Sequence, residues 1–150
     1  KAAVAQLFAD VEPDIVLTWG LEGGYGHKDH RMVSTIVSDV FQTGSPDGSA
    51  WPEVLYYAGV PESQLLGFTP VSRFGGTLQA IWGTTEEKYL QYTISVDDEN
   101  LTAAKSAATC HASQWGENSL SDINSLLDAS LGTMYLRKSH HIGETKTSLD

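Results

Sequence analysis

The hydrophobic positions change period along the chain, and each change predicts an element. Ala2, Ala3, Val4, Leu7 and Phe8 recur at helical spacing, so residues 1–10 read as the end of a helix that Glu12-Pro13 breaks. Asp14-Ile15-Val16-Leu17-Thr18-Trp19 is a short, nearly continuous apolar run, the pattern of a parallel strand covered on both faces. Gly20 ends it, and a glycine-rich loop follows to Gly26. Met32, Val33, Ile36, Val37, Val40 and Phe41 then form one stripe at helical period, closed by Gly44 and Pro46. Asp29 is placed to act as N-cap or first-turn residue of that helix.

Farther on the signals weaken. Val54-Leu55-Tyr56-Tyr57 predicts the next strand, and 59–76, with two prolines and four glycines, predicts a loop. Leu78–Trp82 fits no single template, and Tyr89–Val96 alternates loosely as a strand does. Leu101–Gln114 predicts a helix with Leu101, Ala104, Ala108 and His111 on one face; Asn118–Leu131 predicts a last helix. Residues 140–150 are polar and read as a loose tail, leaving 1–139 as one α/β domain.

Composition narrows the function. The chain has 150 residues, 41% hydrophobic and 19% charged, enough for a packed core. Its formal charge of -10, with nine scattered Lys and Arg, repels a phosphate backbone or an anionic membrane. A small neutral substrate fits better, and no apolar run is long enough to span a bilayer. Cys110 is the single cysteine, which rules out an internal disulfide and favours a reducing, cytoplasmic setting. A targeting segment ahead of Lys1 stays open, because the first helix has no start signal.

The chemistry concentrates beyond the strand ending at Trp19. Open α/β sheets bind ligands outside the carboxyl ends of their strands. There, Tyr25, His27, Asp29 and His30 fall within six residues. His27 and His30, at the mouth of a helix, could point into one pocket. Asp29 could accept from an imidazole N–H and fix its tautomer. Glycines 23, 24 and 26 let the backbone approach a substrate. The spacing leaves two readings open. In one the histidines serve a metal or a proton; in the other Asp29 caps the helix and the histidines are partly exposed polar groups. His111 reads as a satisfied core histidine, Cys110 as buried and inert, and most of the four tryptophans as packing residues.

Those residues carry a resemblance. Pro13-Asp14-Ile15-Val16 through Tyr25-Gly26-His27-Lys28-Asp29-His30 resembles the second signature of the PIG-L/LmbE-like N-acetylglucosaminyl deacetylases. Lys105, Ala108, His111, Ser113 and Gln114 resemble a later helix pattern of that family. The resemblance implies a Rossmann-like three-layer fold with a mostly parallel sheet. It also implies hydrolysis of an N-acetyl group on a glucosamine-type sugar with Zn2+ or another divalent metal. It assigns His30 to the metal and His27 to the oxyanion or a donated proton. Asp29 orients and charge-stabilises His27; Tyr25 contacts the substrate or polarises the carbonyl, with Gly24 and His27 also at the substrate; and His111 gives buried support.

Two departures follow. Lys28 stands where the family has proline. The family's first signature, Ala-His-Pro-Asp-Asp-Glu, which supplies two metal ligands and the general base, does not occur in the chain. The expectation is therefore a C-terminal portion of a deacetylase, with those groups on a preceding segment. The alternatives are a non-catalytic carbohydrate-binding remnant and another metal hydrolase such as an esterase.

Overall fold

The computed structural model describes residues 1–24, 26–45, 48, 50–66, 83–111 and 132–139. These fall into two compact units. One is built from residues up to Ala58 and from Leu136 onward, the other from Gly59 to Tyr135.

The first unit opens with helix α1, Ala2–Val11. Glu12 ends it in the left-handed region at φ 49°, its N–H bonded to the Phe8 carbonyl, and Pro13 prevents continuation. Strand β1, Ile15–Trp19, follows, then helix α2, Lys28–Thr43, then strand β2, Val54–Gly59. β1 and β2 pair in parallel, Ile15 opposite Val54 through Trp19 opposite Ala58. A parallel pair needs a crossover, and α2 supplies it, so the segment is a βαβ unit. Strand β4, Thr133–Lys138, lies on the other side of β2, giving the order β1-β2-β4 here.

The core lies between α2, β1, β2 and α1. Phe8, Val37, Val40, Phe41 and Leu55 form it, with Val4, Ala5, Val16, Ile36, Trp51 and Tyr57 packed around them. Trp51 stands edge-on to Phe8 at 5.3 Å and donates its indole N–H to the Phe41 carbonyl at 3.2 Å, an anchoring role in line with the sequence.

Two burial expectations are corrected. β1 is not covered on both faces: Ile15, Leu17 and Trp19 are 60%, 51% and 39% exposed. Side chains alternate across a strand, so only Val16 and Thr18 turn toward α2. The buried stripe of α2 is also rotated from the apolar one. Ser34, Val37, Ser38, Val40 and Phe41 are buried, whereas Met32 and Val33 are exposed. Ser38 sits inside because it finds partners there, donating to the Ser34 carbonyl at 2.6 Å and sharing a hydrogen bond with the Tyr57 hydroxyl at 2.8 Å, whereas the buried Ser34 hydroxyl has no partner among the described residues.

The second unit holds helix α3, Glu62–Leu66, a 3-10 turn at Glu87–Tyr89, strand β3, Tyr92–Ser95, and helix α4, Asp98–Thr109. Here β3 neighbours β4. The loop expected over 59–76 thus contains a short helix. α4 starts three residues before the expected Leu101, because Asp97 caps it and accepts from the Asn100 N–H at 2.8 Å. Leu101, Ala104 and Ala108 are half-buried rather than core. The stretch 78–82, the helix expected at 118–131 and the tail at 140–150 lie outside the described residues. Strand β4 escaped the sequence reading altogether. The chain is α/β in character, and among the described residues no helix is long and apolar enough to cross a membrane.

Candidate active site

The loop between β1 and α2 is folded by its glycines. The Gly20 N–H bonds the Ala58 carbonyl at 3.0 Å, which fastens the loop to β2 where β1 ends. Gly23 and Gly24 have φ of 74° and 63°, a region that L side chains rarely adopt. Space is as tight as conformation. A Cβ on Gly23 would meet Arg31 Cγ at 2.6 Å, and one on Gly24 would meet the Trp19 ring at 3.1 Å.

The histidines come together as the spacing suggested. Their ring centroids are 5.1 Å apart and tilted by 46°. His27 is the N-cap of α2, in extended conformation, and its Nδ1 accepts from the Asp29 N–H at 3.2 Å. An accepting Nδ1 carries no proton, so the neutral ring carries its proton on Nε2. The local fold therefore selects the tautomer. His27 is also 39% exposed, which keeps it open to a substrate.

Asp29 stands in the first turn of α2, but it is not the cap. Its carboxylate lies 4.0 Å from His27 Nδ1 and is 74% exposed. Both groups are acceptors in this arrangement, so the carboxylate acts on His27 by charge alone, and solvent screens most of that. Asp29 orients His27 through its backbone N–H.

His30 is set differently. Its ring lies flat against Trp19, centroids 4.4 Å apart and planes 2° from parallel. Trp19 is thus more than a packing residue: it fixes the plane of His30. Gly24 makes room for this stack, since a side chain there would press on Trp19 and approach His30 Nδ1.

Tyr25 lies outside the described residues. His111 belongs to the second unit, just past the end of α4, and is exposed rather than buried. Cys110 is a free, exposed thiol, again contrary to expectation, because α4 turns no residue into a core. Glu22 of the loop and the two arginines that meet it, Arg31 and Arg137, were not singled out from sequence. Arg31 donates its Nε–H to the Glu22 carbonyl at 3.0 Å, and Arg137 Nη2 meets Glu22 Oε2 at 3.2 Å.

No group of three His, Cys, Asp or Glu side chains that could hold a metal ion occurs among the described residues. A catalytic zinc takes three protein ligands and leaves one position open. The described residues fit one ligand of such a site, not the whole of it.

No protein-family model matches the chain. It is similar to proteins named 1D-myo-inositol 2-acetamido-2-deoxy-alpha-D-glucopyranoside deacetylase from several bacteria. The relative from Corynebacterium diphtheriae is 29% identical over 126 residues, 81% of this chain and 41% of that protein. The one from Corynebacterium jeikeium is 26% identical over 82% of this chain and 43% of its own length. A shorter match in Segniliparus rotundus reaches 36% identity over 67 residues, 41% of this chain and 21% of that protein. The chain thus spans about two fifths of the length of the first of these relatives.

Proposed function

We propose that this chain carries the oxyanion-stabilising half of an N-deacetylase of the PIG-L/LmbE-like kind, acting on an N-acetylglucosamine-type sugar. The observation that carries the reading is the capped His27. Its Nδ1 is occupied by the Asp29 N–H, and its ring lies 5.1 Å from that of His30. The relatives' names supply the reaction class, removal of an acetyl group from a sugar amide.

The chemistry follows from what the amide needs. Water adds to the acetyl carbonyl, the carbonyl oxygen gains negative charge, and the C–N bond then breaks to give acetate and an amine. His27 Nε2–H donates a hydrogen bond to the developing oxyanion, where it acts more strongly than on the neutral carbonyl. The departing nitrogen cannot leave as an anion, so it takes up the proton that the base removed from water, while His27 keeps its own. The N-terminus of α2, with its orphan N–H groups, adds partial positive charge on the same side.

His30 would be one ligand of Zn2+ or another divalent metal, with its ring plane held by Trp19. Such a metal polarises the carbonyl and lowers the pKa of a bound water. The remaining ligands and the base that takes the water proton would come from residues other than those described.

Two measurements on the intact protein test this. The expected outcome is acetate release from an N-acetylglucosamine conjugate, abolished by chelator and restored by zinc. In His30→Ala, metal content falls to background. Full metal occupancy in that variant, or acetate release indifferent to chelator, overturns the assignment.

A further inference from the structure

The Glu22–Arg137 pair sits where the glycine loop has least reason to hold one shape. The loop is rich in glycine, and glycine loses the most conformational freedom on ordering. Two contacts of a single residue fix it. The Glu22 carbonyl is held by Arg31 of α2, and the Glu22 carboxylate is held by Arg137 of β4. The ion-paired side chains are only 17% and 28% exposed. A Cβ on Gly20 would collide with the Glu22 carboxylate, so glycine at 20 is what lets Glu22 fold back to reach Arg137.

Arg137 is itself located by its neighbours. Its guanidinium lies over the Tyr57 ring at 5.3 Å, and the Tyr57 hydroxyl is bonded to Ser38 in the buried face of α2. The contacts run from loop to β4, to β2, to α2, and through Arg31 back to the loop. His27 and His30 stand at the end of that loop and the start of that helix.

Stability is a poor reason for this pair. Two partly buried charges lose much of their hydration, and neutral replacements of such pairs are often as stable. Arg137 Nε is, in addition, buried with no hydrogen-bond partner among the described residues. A donor left unsatisfied costs free energy. The pair is better explained by what it orients.

We infer that Glu22 and Arg137 are positioning residues that set the loop, and through it the His27–His30 pair, for the deacetylation proposed above. The inference rests on that reading of the loop. It adds a residue from a strand more than a hundred positions away in sequence.

The test is the double variant Glu22→Gln/Arg137→Met in the intact protein, with Arg137→Lys beside it. Gln and Met keep the side-chain lengths and remove both charges. The thermal midpoint is expected to stay close to that of the wild type. Amide exchange at Gly23, whose N–H bonds the Gly20 carbonyl at 2.9 Å, is expected to quicken ~10-fold or more as the loop loosens. kcat for acetate release is expected to fall ~10–100-fold with KM little changed, the size seen when groups behind a ligand are removed. Arg137→Lys, which keeps the charge without the planar fork, should recover part of kcat.

Unchanged Gly23 exchange with unchanged kcat overturns the inference. So does a loss of activity that only tracks the unfolded fraction. Should the double variant fail to fold, Arg137→Lys decides by the same two readouts. Absence of acetate release from the wild-type protein overturns the proposed function instead, and Gly23 exchange alone then decides the clamp.

Discussion

Helix α2 is capped by His27 and helix α4 by Asp97, each with a side chain that accepts a backbone N–H of the first turn. The caps differ in quality. Asp97 accepts at 2.8 Å and takes a second bond from the Asn100 side chain at 2.9 Å, whereas His27 accepts at 3.2 Å. Aspartate is among the preferred capping residues, and histidine is not. The faces differ the other way. α2 buries five residues, and α4 buries none. A helix anchored by its own packing can carry a weak cap. One without that anchorage needs a strong cap. The poor cap on the well-packed helix is thus where a residue chosen for chemistry can stand.

Packing should give the largest effect. Phe41→Ala is expected to destabilise the first unit by ~3–5 kcal/mol, as large-to-small changes of a buried aromatic do. Leu101→Ala on the half-buried face of α4 should cost no more than ~1 kcal/mol. Denaturant unfolding of both variants checks this, and equal losses would break the contrast between the helices. Next comes the cap itself. His27→Ser installs a better cap and removes the imidazole. Stability should hold or rise by a few tenths of a kcal/mol, up to ~1. Turnover should fall ~10²-fold or more, about 2.7 kcal/mol on the barrier. A His27→Ser protein that keeps its turnover would reduce His27 to a capping residue.

The same contrast explains what the sequence disclosed. The apolar run at 15–19, the glycine loop and the start of α2 are local signals, and they mark the candidate site in the sequence. The role of His27 as cap was hidden because histidine gives no capping signal, so Asp29 drew the assignment. The burial of Ser38 was hidden for a related reason: a polar residue enters a core when a distant partner such as Tyr57 receives it, and no periodicity reports that. β4 was missed because its Thr133-Met134-Tyr135-Leu136-Arg137-Lys138 pattern mixes charges into a strand with only Leu136 buried. With β4 went Arg137, and with Arg137 the account of Glu22. The residues with chemistry to offer were legible one at a time; those that hold them are long-range, and only the fold pairs them.

The smallest effect isolates the cap of α4. Asp97→Ala should destabilise by ~0.5–2 kcal/mol, the ordinary cost of losing a capping side chain, and leave turnover untouched. Asp97→Asn separates the two parts of that cost. Asparagine keeps an acceptor for the Asn100 N–H and loses only the charge that faces the helix N-terminus. Recovery to within a few tenths of a kcal/mol of wild type assigns the cap to the hydrogen bond. A loss in Asp97→Asn as large as in Asp97→Ala would assign it to charge, which Asp98 and Glu99 already supply in the same turn. In that case Asp97 would be no stronger a cap than His27, and the reason for a histidine at the start of α2 would have to come from its chemistry alone.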